Sequence, residues 1–292
     1  MRPNQKKAYI YAISAVLLWS TVAVSFKIAL QYVDFLQLLL FASFTAIIIY
    51  LLIALINNTH RQLFKVTKKA LLSSAFIGFL NPFLYYVVLF KAYSLLPAQI
   101  AQPLNYLWPA VLVLLSAPLL GEKLKFLSVV SLLIGFLGVY VISTQGNLFG
   151  FKIDEPLGVA LAAGSSVIWA LSWIFNQKDK RKEQTKLFWN FIFGFLYILI
   201  AVLIFSKIKL PETKGIFAVI YVGFFEMGIT FFFWLKALQL TERNDNISNL
   251  IFFSPFLALI FIHFVLGETI FYTTYIGLIL IVAGIFIPRI RK

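Results

Sequence analysis

Long apolar runs recur along the whole 292-residue chain, and they constrain its fold more than any other feature of the sequence. A helix needs about 20 consecutive apolar residues to cross about 30 Å of hydrocarbon. Ten runs approach this length; nine lack Asp, Glu, Lys and Arg, and one is broken only by Glu226. They lie at 8–26, 35–60, 70–90, 92–121, 126–151, 156–177, 187–206, 215–235, 246–267 and 269–288. The sequence therefore predicts an all-α integral membrane protein with ten transmembrane helices.

The composition excludes other classes of protein. Charged residues make up 12% of the chain, whereas a soluble domain carries about 25%. Such a chain cannot bury its apolar surface in one globular core, and it is too apolar to be disordered. The absence of Cys excludes a disulfide-stapled secreted domain. Continuous runs of this length exclude an outer-membrane barrel, whose strands alternate over about 10 residues.

The first apolar run follows Arg2, Lys6 and Lys7, as the apolar core of a secretory signal would. It lacks a clean small-residue cleavage site, and Lys27 and a second apolar run follow it. We therefore expect a helix that stays in the protein.

Basic residues predict the orientation of the chain. The 25 Lys and Arg against 11 Asp and Glu give a net charge of +14. Most of the basic residues lie in segments that face the cytoplasm if the N-terminus is inside, such as 178–186. The connection with Lys207, Lys209 and Lys214 is a local exception. Cytoplasmic loops are enriched in Lys and Arg, so we expect both termini on the cytoplasmic side of a bacterial inner membrane, with no nucleic-acid partner.

The two halves of the chain repeat one another at an offset of 145 to 150 residues. The coincidences fall on residue types that few others replace. They are Trp19 with Trp169, Gly78 with Gly223, Lys91-Ala92 with Lys236-Ala237, Pro109 with Pro255, Gly121-Glu122 with Gly267-Glu268, and Gly138 with Gly284. Each half holds five runs, an odd number, so the second half enters the membrane in the opposite sense. We expect two inverted five-helix repeats, 1–146 and 147–292, an arrangement typical of secondary transporters.

Glu226 is the acidic residue that lies deep inside an apolar run. A carboxylate in hydrocarbon costs several kcal/mol or becomes neutral, so we expect it to face a cavity or a partner. It is a candidate for contact with a substrate amine or for proton coupling; the alternative is a structural hydrogen bond to a neighbouring helix. Its repeat mate is Asn81, which is therefore also a candidate for substrate contact, and the pair predicts a shared polar site near the midplane of the membrane.

Several aromatic residues are candidates for a substrate-binding wall. Stacking and cation-π contacts suit an aromatic or aminated ligand. The candidates are Trp19, Tyr85, Trp108, Trp169 and Trp173. The alternative is that they face lipid or pack between helices, because the chain also contains 32 Phe and 13 Tyr.

Prolines are placed alike in the two halves. Pro109 leaves the carbonyl of Asn105 without its usual partner, so a polar side chain and a freed carbonyl coincide. Pro255 does the same for residue 251, with Asn249 nearby. We expect substrate contacts at both Asn residues and a role for both prolines in gating or cavity shape; the alternative is a packing kink. The Gly-Glu pairs are interpreted as helix stops with a charge at the membrane interface.

These motifs resemble a known family. Leu18-Trp19-Ser20-Thr21, the two Gly-Glu pairs and the Gly138/Gly284 pair resemble the EamA family of the drug/metabolite transporter superfamily. Within it, Asn105-Tyr106-Leu107-Trp108-Pro109 and Ile168-Trp169-Ala170 are similar to the bacterial aromatic amino-acid exporters. The resemblance implies ten helices in two inverted repeats around a central cavity lined by spans one, three, four, six, eight and nine. It also implies movement of a small metabolite, often out of the cell.

We therefore predict a secondary transporter, not an enzyme, that exports aromatic or other neutral amino acids by alternating access. Its partners would be a small-molecule metabolite and the lipid bilayer, and it would act as a monomer or weak homodimer. Two His and no Cys predict no metal site and no cofactor. The chain has no Walker A pattern for ATP-driven transport. The alternatives are transport of a nucleotide, sugar or drug-like compound, a passive channel, and a membrane-embedded lipid enzyme.

Overall fold

The computed structural model describes residues 4–121, 126–145, 154–241, 247 and 249–286, and every regular element within these ranges is helical. The α-helices are α1 (Gln5–Ala29), α2 (Phe35–Ile56), α3 (His60–Leu63), α4 (Lys68–Gly78), α5 (Tyr85–Leu95), α6 (Ala98–Asn105), α7 (Trp108–Leu120), α8 (Phe126–Ser143), α9 (Pro156–Lys178), α10 (Glu183–Phe205), α11 (Thr213–Tyr221), α12 (Ile229–Leu240), α13 (Ser254–Leu266) and α14 (Tyr272–Phe286).

Seven helical stretches in the described ranges are long and apolar enough to cross a membrane. They are Gln5–Ala29, Phe35–Ile56, Lys68–Leu95, Ala98–Leu120, Pro156–Lys178, Glu183–Phe205 and Thr213–Leu240. Three shorter apolar helices, Val129–Ser143, Leu250–Leu266 and Tyr272–Phe286, coincide with the three remaining apolar runs of the sequence. The chain is therefore an all-α, multi-pass membrane protein.

The helix ends follow from local chemistry. Asp34 begins α2 by accepting hydrogen bonds from the backbone N–H groups of Leu36 at 2.8 Å and Gln37 at 3.0 Å. Gly121 and Gly267 end α7 and α13 in the left-handed region, at φ +72° and +70°, where an L side chain would be strained. Both are thus confirmed as helix stops. Glu122 lies outside the described residues.

Corresponding helices of the two sequence halves are interrupted at similar positions. The third long stretch contains a π-helical segment at Phe79–Leu84, and the seventh contains one at Val222–Glu226. A 3-10 segment, Asn249–Phe253, precedes α13. Pro109 and Pro255 each occupy the first turn of a new helix, where a missing N–H costs no helical bond. Both prolines therefore begin a helix instead of bending a continuous one.

The chain forms two compact units that do not follow the order of the sequence. The first unit comprises Met1–Val66 and Phe195–Gly267, and the second comprises Thr67–Gly194 and Glu268–Lys292. The first therefore contains α1 to α3 and α11 to α13, and the second contains α4 to α9 and α14, while α10 contributes to both. Each unit combines helices from both sequence halves.

Glycines allow helix backbones to touch within each unit. In the first unit, a Cβ on Gly223 would collide with the backbone of Ala42 on α2. In the second, a Cβ on its repeat mate Gly78 would collide with the Asn190 carbonyl on α10. Close backbone approach of this kind is how membrane helices associate without a hydrophobic driving force. The repeated glycines thus have a steric reason.

The packing of α8 on α14 depends on a close glycine contact of the same kind. A Cβ on Gly138 would lie 2.6 Å from the Gly277 carbonyl oxygen and 2.8 Å from the Ile281 side chain. We expect Gly138→Ala to destabilise the protein by about 1–3 kcal/mol, because backbone atoms cannot move aside as a flexible side chain can. The measurement is thermal unfolding of purified protein in detergent.

Gly164 on α9 is the matched control, because nothing lies within 4 Å of a Cβ built there. Gly164→Ala should leave stability unchanged or raise it by about 0.5–1 kcal/mol, through the better helix propensity of Ala. Equal melting temperatures for the two variants would contradict the close α8–α14 contact.

Candidate functional site

Asn105 connects three helices of the second unit. Its side-chain oxygen accepts a hydrogen bond from the Tyr85 hydroxyl of α5 at 3.2 Å. Its side-chain N–H group donates to the Ser165 hydroxyl of α9 at 2.7 Å. Asn105 is the last residue of α6, so its amide stands where the helix is interrupted before α7. An amide that bridges both partners is held in one orientation.

Aromatic rings lie beside this amide. The Trp169 ring is 4.5 Å from the Tyr85 ring and 6.3 Å from the Trp173 ring, measured between centroids. Trp169 and Tyr85 are buried at 9% and 3% exposure, and Trp173 is half-buried. Polar and aromatic groups thus adjoin, the combination that positions and stacks a ligand ring.

Asn81 reaches the same face of α9 from the π-helical segment. Its backbone is extended, at φ −152° and ψ 118°, and its side-chain N–H group lies 3.5 Å from the Ser172 hydroxyl. Ser172 is one turn from Trp169 and donates to the Trp169 carbonyl at 2.8 Å. We call the set Asn81, Tyr85, Asn105, Ser165, Trp169 and Ser172 the Asn105 cluster. Four of its six members were singled out from the sequence.

The two serines were missed, although a spacing pattern could have found them. Ser165, Trp169, Ser172, Asn176 and Asp179 follow one another at intervals of four, three, four and three residues. This spacing places them along one face of α9. The Asn176 side chain continues the line by donating to the Ser172 carbonyl at 3.0 Å. α9 therefore carries a polar stripe from the Asn105 cluster to its C-terminal end.

A cluster of charged side chains closes the C-terminal end of α9. Arg181 pairs with Asp179 at 2.5 Å and donates to the Ser74 hydroxyl of α4 at 2.7 Å. Lys186, which is only 3% exposed, donates to the Asn176 carbonyl at 3.0 Å and pairs with Glu183 at 2.7 Å. The basic run after α9 thus also joins α4, α9 and α10 within the second unit.

The pKa of Asp179 is lowered by this pairing. Burial of the carboxyl raises its pKa, but the hydrogen bonds and charge of Arg181, together with the charge of Lys186, outweigh burial and hold the pKa below its ordinary value. The ionised form is therefore the form that the fold stabilises.

Trp19 lies in the first unit, against other aromatic rings. Its ring centroid is 5.6 Å from those of Phe231 and Trp234 on α12. The next residue, Ser20, lies 3.4 Å from the Ser254 hydroxyl of α13. The segment around Trp19 therefore holds α1 against α12 and α13.

Glu226 is the last residue of the π-helical segment in the first unit and is 7% exposed. The buried Tyr50 of α2 donates its hydroxyl to the Met227 carbonyl, and Tyr50 interacts electrostatically with Glu226. Thr230, one turn further along, is fully buried. The carboxyl group thus lies in the interior of its unit, within electrostatic range of the Tyr50 hydroxyl. Tyr50 was missed because Tyr in an apolar run carries no local sign of its contacts.

The other two predicted site residues are less defined. Trp108 begins α7 and is half-buried. Asn249 begins the 3-10 segment before α13, and its side chain lies outside the described part. Among the residues that the structure describes, no group of three or more His, Asp or Glu could hold a metal ion.

An open cavity of about 960 Å³ lies in the first unit, between the connections that follow α1 and α10. Its lining includes Asp34, Lys207, Lys209 and Glu212, and none of the predicted site residues. Asp34 caps α2 and also accepts a hydrogen bond from Ser206 at 2.5 Å. The cavity is therefore a depression beside the beginning of α2.

A multi-pass helical architecture with buried polar and aromatic clusters is typical of membrane transporters. The chain belongs to the EamA-like transporter family, whose model matches residues 6–144 and 156–288. The resemblance noted in the sequence is thereby confirmed over both halves.

Individual relatives agree with this assignment. An uncharacterised transporter of Clostridium kluyveri is 26% identical over 96% of this chain and 92% of its own length. The uncharacterised transporter YvbV of Bacillus subtilis is 27% identical over 85% and 81%. The aromatic amino acid exporter YddG of Ancylobacter novellus is 29% identical over 51% and 53%. A solved structure, 21% identical, has the same fold with a TM-score of 0.68 over 99% of this chain and 100% of its own.

The lowered pKa of Asp179 predicts how stability depends on pH. A carboxyl group whose pKa is lower in the folded state than in the unfolded state stabilises the protein. The effect is complete at a pH above the pKa of the unfolded state, which is about 3.9 for Asp. This contribution to stability disappears as the pH falls through the lower pKa of the folded state. We expect Asp179→Asn to lower the melting temperature at pH 7, with the difference from the wild type shrinking below about pH 4. Thermal unfolding in detergent across this range is the measurement.

Glu212→Gln is the control, since Glu212 is exposed and its side chain makes no capping hydrogen bond at the beginning of α11. It should follow the wild type at every pH. A difference between Asp179→Asn and the wild type that stayed constant down to pH 2 would contradict the pairing with Arg181.

Proposed function

We propose that the chain crosses the membrane ten times, as two inverted repeats of 1–146 and 147–292, with both termini in the bacterial cytoplasm. Contacts on the cytoplasmic side support this path. The Asn4 backbone N–H at the start of α1 donates to the Leu240 carbonyl at the end of α12, at 2.9 Å. Arg181 after α9 reaches Ser74 in α4. A ten-span path assigns both members of each pair to the cytoplasmic side.

Two further contacts join segments that the ten-span path assigns to the outer side of the membrane. Asp34, after the first span, bonds Ser206, after the seventh. The Glu268 carboxylate, after the ninth span, accepts from the Ala98 backbone N–H at the start of the fourth, at 2.9 Å. A path that lacked any one of the first nine crossings would place the two members of at least one of these pairs on opposite sides of the bilayer.

The proposed activity is secondary transport of aromatic or other neutral amino acids out of the cell, by alternating access. The observation that carries this proposal is the Asn105 cluster. An oriented amide and hydroxyls suit the amino and carboxylate groups of an amino acid, and the adjoining Tyr85 and Trp169 rings suit an aromatic side chain. The similarity to an aromatic amino acid exporter over about half of the chain supports the substrate class.

The experiment is counterflow in proteoliposomes. Purified protein is reconstituted with an excess of unlabelled phenylalanine inside, and uptake of labelled phenylalanine is compared with uptake of leucine, a nucleoside and a sugar under matched conditions. Saturable counterflow of the amino acids supports the proposal. Counterflow of the nucleoside or sugar alone would replace the substrate class, and flux without counterflow would indicate a channel. Absence of all flux together with lipid turnover would favour the enzyme.

Trp169 should contribute to recognition of an aromatic substrate. We expect Trp169→Ala to raise the concentration for half-maximal counterflow of phenylalanine by about three- to tenfold, since an aromatic pair contributes about 0.5–1.5 kcal/mol. Trp189→Ala is the matched control, because Trp189 packs on Phe188 and Phe193 within α10 of the same unit. Equal changes in the two variants would argue against the Asn105 cluster as the substrate site.

Glu226 should affect the pH dependence of transport. An ionisable group inside a spanning helix is a functional candidate, so we expect Glu226→Gln to flatten the pH profile of counterflow or weaken transport while the protein still folds. Glu212→Gln, at an exposed position before α11, is the control and should keep the wild-type profile. A wild-type profile for Glu226→Gln at every pH would leave Glu226 a structural role.

A further inference from the structure

Glu268 caps the beginning of α6. Gly267 ends α13 in the left-handed region, and the next residue turns its carboxylate towards α6. One carboxylate oxygen accepts from the Ala98 N–H at 2.9 Å, and the other accepts from the Gln99 N–H at 3.1 Å. The first N–H groups of a helix lack helical partners, and a carboxylate there satisfies them and the helix dipole together. The sequence predicted only an interfacial charge after a helix stop.

Gln99 returns the contact with its side chain. Its amide N–H donates to the Thr269 carbonyl at 2.9 Å. Its amide oxygen accepts from the Phe271 N–H at 2.9 Å and from the Thr274 hydroxyl at 3.3 Å. Gln99 is 3% exposed and Thr274 is fully buried. Five hydrogen bonds thus connect α6 to α14 and to the segment that leads into it.

α6 is only eight residues long, from Ala98 to Asn105. A helix of about 1.5 Å rise per residue then separates the two ends by about 11 Å, and a helix this short is not stable on its own. Its position must be set by what holds its ends. Glu268 and Gln99 hold the beginning, and the end carries the Asn105 amide that bonds Tyr85 and Ser165.

We propose that Glu268 and Gln99 are positioning residues for the substrate site. They hold α6 in one register, so that the Asn105 amide stays within hydrogen-bond reach of its partners and is presented to the ligand in a fixed orientation. This inference rests on the proposed function, because it takes the Asn105 cluster to be the binding site.

The test uses two variants, Gln99→Ala and Glu268→Ala, of the full-length reconstituted protein. Hydrogen-deuterium exchange of the peptide over residues 98–105 should be at least tenfold faster in both than in the wild type. The half-saturation concentration for phenylalanine counterflow should rise at least fivefold. Glu268→Gln keeps one acceptor oxygen, so it should fall between the wild type and Glu268→Ala in both measurements.

Gln37→Ala is the matched control. Gln37 is also a buried glutamine, at 6% exposure, and it bonds a connecting segment of the first unit through the Lys207 carbonyl. Its loss should lower the melting temperature while leaving exchange at 98–105 and half-saturation within twofold of the wild type. A general loss of stability would therefore not imitate the expected result.

The possible outcomes test the position of α6, its link to the substrate site and the proposed function separately. Wild-type exchange at 98–105 in Gln99→Ala and Glu268→Ala would overturn the positioning of α6. Faster exchange with unchanged half-saturation would overturn its link to the substrate site. A wild-type protein that transports none of the candidates would overturn the proposed function, and the exchange measurement would still decide whether Glu268 and Gln99 hold α6.

Discussion

A backbone N–H or C=O group that loses its helical partner inside a bilayer has no water to bind, so every interruption of a spanning helix must be satisfied by other protein groups. The structure follows this constraint closely. Tyr50 donates to the Met227 carbonyl where the π-helical segment before α12 ends. At the beginning of a spanning stretch, Glu268 likewise accepts hydrogen bonds from the first N–H groups of α6. Backbone groups that lack a helical partner therefore depend on polar side chains from other segments of the same unit.

The sequence repeat has a physical meaning in the same terms. Gly78 and Gly223 each stand where a helix touches another backbone, so neither position can carry a Cβ. Gly121 and Gly267 end helices in a conformation that strains other residues, and Pro109 and Pro255 begin helices where no N–H is needed. Residues with such backbone constraints tolerate few replacements. This explains why these positions coincide between halves that otherwise differ.

Much of the candidate site could be predicted because its residues are rare in apolar helices. Asn81, Asn105 and Glu226 stood out as polar groups that hydrocarbon would penalise. Ser165 and Ser172 did not stand out, because a serine hydroxyl can bond its own helix backbone, and both also do so. Their second role needs a partner from a distant part of the chain, and local sequence does not identify that partner.

The sequence by itself determined the positions of the apolar stretches that form helices, the glycines that end two of them, and the family. These properties depend on transfer of side chains from water to lipid and on backbone sterics, which act locally. Only the tertiary structure decided that each compact unit combines both sequence halves, that Asn105 bonds Tyr85 and Ser165, and that Glu268 caps α6. Such pairings depend on which helices meet, and a contact between residues 170 positions apart, such as that of Glu268 with Ala98, leaves no periodic signal in the chain.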